Sequence, residues 1–304
     1  MTAGAVISQP GLRLRKLRDR VVETGLLLAA LVAVFTTIAI VVVLVIESVP
    51  FFNTVSVMDF LTDTMWTPLF AEARYGILPL VAGTLVTTLV ALAVAIPAGT
   101  IIAIYLSEFA PYKIRETIKP ALELLGAVPT VVYGYFALLV VTPMLQKLIP
   151  GLPGFNMLSA GLVIGIMIIP YVASVSEDAM RAVPNYMREG SYAMGATRFQ
   201  TATRVVVPGA LSGIAAAYIL GISRAVGETM VVAIAAGLQP NLTWDPTEPA
   251  ATITAFIVQV SLGDLPHDSI GYQSIFAAGL VLMLMTLVFN IAGFSLTRRF
   301  REAY

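Results

Sequence analysis

An arginine and a glutamate lie four residues apart inside an otherwise apolar stretch of the sequence. They are Arg224 and Glu228, and this spacing places two side chains on one face of an α-helix. A guanidinium carries forked N–H donors that fit two oxygens of one oxyanion, and a carboxylate can balance its charge when no anion is bound. Two interpretations stay open. Either the pair satisfies itself and tightens packing, or Arg224 lines a path for an anion and Glu228 holds it in place.

The residue types exclude several other chemistries. The chain has no cysteine and one histidine, His267, which excludes thiol nucleophiles, cysteine-ligated metals and histidine-rich metal sites. It has no G-x-x-x-x-G-K-[ST] loop for binding nucleotide phosphates, and no Gly-Lys pair at all. The formal net charge is zero, so no basic field points to nucleic acid. We predict a chain without catalytic residues, metal ligands or a cofactor of its own.

The composition predicts an all-α, polytopic membrane protein. Hydrophobic residues make up 58% of the 304 residues and charged residues 12%, about half of the roughly 25% charged residues in soluble domains. A membrane-spanning helix needs about 20 mostly apolar residues. The sequence contains six such stretches, at residues 24–46, 78–104, 124–146, 156–176, 209–236 and 274–296. The first apolar run is longer than the roughly 7–15 residues of a signal-peptide core, which favours an uncleaved span.

The distribution of lysine and arginine predicts an inner-membrane protein with both termini in the cytoplasm. Of the 18 basic residues, 15 fall in four alternate segments, which the positive-inside rule places inside. These segments are 1–23, 105–123, 177–204 and 297–304. We divide the chain into a basic cytoplasmic tail (1–23), a first span with its external loop (24–75), and the remaining transmembrane domain (76–304).

The long inside loop between the fourth and fifth spans, residues 177–208, has a helical pattern. Pro184 suits the start of a helix. The residues that could share one broad face of that helix are Tyr186, Met187, Ser191, Tyr192 and Met194. Gly195 permits a break and Thr197 could cap a second helix. The first helix could lie on the lipid surface or insert into a groove on a cytoplasmic partner.

Aromatic residues are concentrated in the outside loops. Those after the first span are Phe51, Phe52, Phe60 and Trp66, and Trp244 precedes the last span. Aromatic rings near a membrane surface often anchor a protein at the interface. They could equally form a docking surface for an external partner, and the sequence leaves both interpretations open.

The inside loop 177–208 resembles the coupling loop of ABC importer permeases. That signature reads E-A-A, three residues, G, nine residues, I-x-L-P. The matching residues are Glu189-Gly190-Ser191, Gly195 and Val205-Val206-Val207-Pro208, at the same spacing and with small or apolar residues retained. Segments 126–134, 165–170 and 221–230 resemble phosphate permeases, and the last is similar to the PstC-type subunit. The resemblance covers about residues 40–304.

The resemblance implies a MetI-like, type I importer fold with six spans, forming half of the path of a phosphate importer. It implies that residues 184–200 dock on an ATPase and that ATP hydrolysis takes place in that partner. The implied coupling residues are Glu189, Gly190, Ser191, Tyr192, Gly195 and Pro208. Arg224 and Glu228 would contact or flank the anion.

The implied partners are a homologous PstA-type permease, two copies of a PstB-type ATPase, a PstS-type phosphate-binding protein, inorganic phosphate and membrane lipid. Two alternatives remain. One is a permease of another oxyanion importer, for molybdate or sulfate. The other is a secondary transporter or channel that works alone.

Overall fold

Helices form nearly all the regular structure in the computed structural model, which describes residues 10–68, 70 and 72–299. Within these ranges there is no strand, and one isolated antiparallel bridge joins Trp66 to Tyr75. The all-α prediction is therefore confirmed. The first nine residues of the predicted basic tail and the last five residues of the chain lie outside the described ranges.

Fourteen α-helical segments follow one another in the described part of the chain. In order they are α1 (Pro10–Thr54), α2 (Val57–Thr62), α3 (Leu78–Ile104), α4 (Tyr112–Ala127), α5 (Thr130–Phe136), α6 (Thr142–Leu148), α7 (Met157–Ala182), α8 (Asn185–Ala193), α9 (Arg198–Thr201), α10 (Val207–Gly209), α11 (Leu211–Val226), α12 (Met230–Ala235), α13 (Ile253–Ser261) and α14 (Ile270–Arg299). Turns of π-helix extend α3 and link α5 to α6 and α9 to α10, at Tyr105–Phe109, Ala137–Val141 and Ala202–Val206.

Five helical runs are long and apolar enough to cross a membrane, and a bent pair makes a sixth. Predicted span 78–104 coincides with α3, and the first and sixth predicted spans lie within α1 and α14. The fourth, 156–176, begins one residue before α7 and otherwise lies within it. At about 1.5 Å per residue, the 45 residues of α1 extend well beyond a hydrocarbon core of roughly 30 Å. The basic residues 15–20 therefore continue the first span as helix.

The third span begins later than the sequence predicts. Residues 124–127 end α4, an amphipathic helix without a buried residue, and the span starts at Thr130. Pro129 explains the break, because the residue before a proline is driven out of the helical region. Val128 is accordingly extended, with φ −67° and ψ 130°.

The fifth span is broken twice, so the predicted continuous helix over 209–236 is wrong. The helical run Arg198–Gly209 bends by 72° where it meets α11. A second break follows Val226, where Gly227 caps α11 and the chain resumes as α12 at Met230. Glycine has a low helix propensity and commonly follows the end of a helix.

The predicted external segment 237–273 contains a buried helix that periodicity did not reveal. This helix, α13, packs against α3, α12 and α14. Its buried residues are Ile253, Thr254, Ala255, Phe256 and Val260. With nine residues it is too short to cross a bilayer, so the length of its apolar run does not distinguish it from a loop.

The α3–α7 pair is the most extensive helix contact and the centre of the core. Two glycines on α7 permit it. A Cβ at Gly161 would lie 2.6 Å from Cβ of Val90, and one at Gly165 would lie 2.8 Å from the carbonyl oxygen of Ala91. Such small-x-x-x-small spacing lets helix backbones approach closely in membranes.

The aromatic residues after the first span form a core rather than an exposed surface. Phe51, Phe60 and Trp66 are buried and meet edge to face. Trp66 also packs on Phe256 of α13, with ring centroids 4.9 Å apart. For these three rings both open interpretations, interfacial anchor and docking surface, are wrong. Trp244 remains 64% exposed and is available for either role.

We expect Gly161→Val to destabilise the α3–α7 contact, because the added side chain overlaps Val90. Overpacking of a tight core costs about 1–3 kcal/mol. The effect is measured by heating the protein in detergent and recording the loss of its monodisperse peak in size-exclusion chromatography. Gly25→Val is the matched control, since no atom lies within 4 Å of a Cβ there. Equal unfolding midpoints for the two variants would show that the close approach is not needed.

Candidate functional site

Arg224 lies near the middle of the broken fifth span, two residues before α11 ends. Its Cζ stands 4.4 Å from the centroid of the Tyr171 ring, on α7. A guanidinium over an aromatic face is held by a cation–π interaction and keeps its edge donors free. The neighbouring Ser223 donates a hydrogen bond of 3.1 Å to Oδ1 of Asn290, which ties α11 to α14.

The predicted pairing of Arg224 with Glu228 is not formed. No ion pair involves either residue anywhere in the described ranges, and they do not share a helical face because α11 ends between them. The buried carboxylate of Glu228 instead accepts a hydrogen bond of 3.3 Å from the N–H of Val231, in the first turn of α12. The carbonyl of Glu228 accepts a 2.6 Å hydrogen bond from the Thr254 hydroxyl on α13.

The structure therefore leaves the Arg224 guanidinium without a carboxylate partner inside a membrane span. Its Nε is buried and makes no hydrogen bond to any described residue. An unsatisfied buried donor costs about 1–3 kcal/mol, more when the group is charged. An arriving oxyanion could satisfy the free donors without first breaking an ion pair.

The coupling loop has the helix–turn–helix form that its sequence predicts, although α7 runs on to Ala182 and the linker starts at Val183. Helix α8 follows Pro184. Gly195 adopts φ +84°, and the N–H groups of Gly195 and Ala196 donate to the carbonyls of Tyr192 and Ser191. This is the Schellman arrangement that ends helices at glycine.

The second helix of the loop begins at a capping box. Thr197 accepts from the backbone of Gln200, and the Gln200 side chain accepts from the backbone of Thr197. Ser191 and Thr201 share a 2.9 Å hydrogen bond that joins α8 to α9. The remaining predicted coupling residues, Glu189, Gly190, Tyr192, Gly195 and Pro208, are exposed.

A charged clamp that the sequence did not reveal fixes α8 to the membrane helices. Arg188 donates to both carboxylate oxygens of Glu108, at 2.9 and 3.3 Å. It also donates to the carbonyls of Met180 and Val183, at 2.8 and 2.6 Å. One side chain thus joins α8 to the ends of α3 and α7. Bidentate, charge-assisted bonds of this kind are strong and directional.

A second ion cluster joins α4 to α7 close to the coupling loop. Lys119 donates to Glu177 at 2.7 Å and to Asp178 at 2.6 Å. Burial lowers the pKa of Lys119, but the hydrogen bonds to Asp178 and Glu177 and their charges outweigh it, so the net pKa is raised. Lys119 is therefore charged at physiological pH and keeps the two helices bridged.

We expect Arg188→Ala to loosen α8, because the substitution removes four hydrogen bonds and leaves the Glu108 carboxylate buried without its cation. Breaking one partner of a buried pair costs about 3–5 kcal/mol. Hydrogen exchange of the amides in residues 185–193 should rise at least tenfold. Arg204→Ala, at an exposed position, should leave that exchange unchanged. Unaltered exchange in Arg188→Ala would show that α8 does not depend on the clamp.

Several known proteins are similar to this chain. A probable ABC transporter permease from Bacillus subtilis, YqgH, is 34% identical over 93% of this chain and 91% of its own length. The phosphate transport system permease PstC of Mesorhizobium japonicum is 34% identical over 79% of this chain and 78% of its own length. PstC of Haemophilus influenzae is 36% identical over 65% of this chain and 69% of its own.

Solved structures share the fold at low sequence identity. A bacterial alginate ABC transporter, solved in complex with an alginate-bound periplasmic protein, aligns with a TM-score of 0.64 at 18% identity, covering 93% of this chain and 95% of that one. The MetNI methionine transporter aligns with a TM-score of 0.54 at 18% identity, covering 75% and 95%. Residues 95–302 match the family described as the binding-protein-dependent transport system inner membrane component. The chain is therefore a permease of this ABC importer family, a multi-pass protein of the inner membrane.

Proposed function

We propose that this chain is the PstC-type half of the membrane path of an ATP-driven phosphate importer. The relatives named PstC support phosphate as the cargo. The observation that carries the proposal is the unpaired Arg224, stacked on Tyr171 at the break in a membrane span. Discontinuous helices near the middle of the membrane are where transporters build their substrate sites.

In this mechanism Arg224 offers its free donors to two oxygens of the passing anion, while Tyr171 holds the guanidinium plane in place. Glu228 flanks the path. Its carboxylate caps the start of α12 and so stabilises the interruption of the helix at residues 227–229. A conducting path requires a site that binds its cargo weakly enough to release it, and contact with a single cation meets that need.

The coupling loop would pass the movement of a cytoplasmic ATPase to this site. Large apolar side chains on α8, on α9 and in the turn between them are exposed: Tyr186, Tyr192, Met194 and Phe199. Burying such a face in a groove of a partner follows the helix-in-groove mode of recognition. This docking needs both termini and the loop on the cytoplasmic side.

The proposed complex follows the composition of such importers. This chain would pair with a PstA-type permease, two PstB-type ATPase subunits would hydrolyse ATP, and a PstS-type protein would deliver phosphate from outside. The chain itself would be non-catalytic. A second candidate cargo is another oxyanion such as sulfate or molybdate, because a forked guanidinium binds any tetrahedral oxyanion.

We expect Arg224→Ala to abolish ATP-dependent uptake of labelled phosphate into proteoliposomes while the complex still assembles. Arg224→Lys should retain a minor part of the uptake, because it keeps the charge and loses the fork. Arg20→Ala, at an exposed position in α1, is the matched control. Normal uptake by an inserted Arg224→Ala complex would refute the role of Arg224. Inhibition of phosphate uptake by sulfate or molybdate would show that the importer carries another oxyanion and would leave the ABC importer assignment unchanged.

We expect Met194→Glu to reduce the amount of ATPase that copurifies and to reduce uptake in proportion. Met194 is 87% exposed, so the added charge changes the docking face and leaves the fold alone. Met58→Glu, at an exposed position in α2, controls for an added surface charge. Undiminished uptake, or uptake without ATP, would favour a transporter that works alone.

A further inference from the structure

A polar cavity of about 700 Å³ opens where the coupling loop meets the membrane helices. Four arginines line it, and each comes from a different helix: Arg115 from α4, Arg181 from α7, Arg188 from α8 and Arg198 from α9. The one carboxylate in its lining is Glu108. The cavity is separate from the Arg224 site, and none of its lining residues contributes to that site.

The positive charge of this cavity is not balanced by its own acidic residue. Glu108 is fully engaged by Arg188. Arg198 makes no ion pair and no side-chain hydrogen bond to any described residue. Arg181 comes no closer than 3.7 Å to Glu177, whose other oxygen is bound by Lys119.

Arg115 contributes a second free donor. Its Nε is buried without a hydrogen-bond partner among the described residues, and its contact with Glu116 is 3.9 Å long. Like charges that line one cavity repel each other, and an anion among them offsets that repulsion. Arginine is the residue that proteins most often use to bind a phosphate group, because its forked donors match two phosphate oxygens.

We propose that this cavity binds a phosphate group from the cytoplasmic side and that its occupancy locks α8 onto α4, α7 and α9. The phosphate group could belong to free inorganic phosphate or to the headgroup of an anionic phospholipid. The bound group would bridge Arg115 and Arg198 and so add a contact between helices that Arg188 alone does not join. The proposal does not depend on the cargo of the importer.

Hydrogen exchange of the α8 amides in the full chain, held in nanodiscs, tests this site. An Arg224→Ala background removes the other proposed anion contact. In phosphatidylcholine nanodiscs, added inorganic phosphate should slow exchange over residues 185–193 several-fold, and chloride at equal ionic strength should not. In phosphatidylglycerol nanodiscs, slow exchange without added phosphate would identify the lipid headgroup as the source. Either form of protection supports the site.

The arginines provide the matched variants. Arg198→Ala should weaken the apparent affinity for the phosphate group by about tenfold or more, the usual effect of losing one charge-assisted contact. The double variant with Arg115→Ala should abolish the protection. Arg204→Ala, an exposed arginine of the same loop that does not line the cavity, should bind as the unaltered chain does. The proposal would be overturned if neither inorganic phosphate nor phosphatidylglycerol slowed the exchange, or if the double variant were protected as well as the unaltered chain.

Discussion

A break in a membrane helix must satisfy its freed backbone groups within the protein, because lipid offers them no hydrogen bonds. The break at residues 227–229 meets this constraint with two groups. The Glu228 carboxylate accepts the Val231 N–H, and the Thr254 hydroxyl donates to the Glu228 carbonyl. The short helix α13 therefore supports the break in the fifth span, which explains why part of the predicted external segment packs into the core.

The same break sets the chemistry of the candidate site. Because the Glu228 carboxylate accepts a hydrogen bond at the start of α12, it does not neutralise Arg224. The Arg224 guanidinium stacks on Tyr171 instead. Tyr171 lies on α7, and the far end of α7 holds Arg188 of the coupling helix through its last carbonyls. One helix thus carries both Tyr171, the stacking partner of the proposed anion-binding arginine, and the carbonyl that holds the proposed coupling helix.

The close α3–α7 contact makes that helix a stiff element. Gly161 and Gly165 let α3 approach α7 closely over about one turn, and Glu108 in the π-helical extension of α3 accepts hydrogen bonds from Arg188. Movement of α8 therefore acts on α3 and α7 together. The arginine-lined cavity lies at this junction, where an anion would alter how firmly α8 is held.

Much of the fold could be predicted from the sequence, because the length of an apolar span and the residues that begin and end a helix are local properties. Gly195 and Thr197 predict the turn between α8 and α9, which the structure contains. The bounds of α3 match the predicted span. The broken fifth span could not be predicted, since an apolar run with a four-residue charge spacing also suits a continuous helix. The Arg188–Glu108 clamp joins residues 80 positions apart, and the sequence alone does not show such a pairing.

The chemistry of the candidate site depends on the separation of Arg224 from Glu228. A double-mutant cycle with Arg224→Ala and Glu228→Gln, read from the free energy of unfolding in mixed detergent, measures it directly. Glutamine keeps an oxygen that can accept the Val231 N–H. If the two residues act separately, their effects should add within about 0.5 kcal/mol. A coupling above about 1 kcal/mol would show that they form the ion pair and that Arg224 is not free to receive an anion.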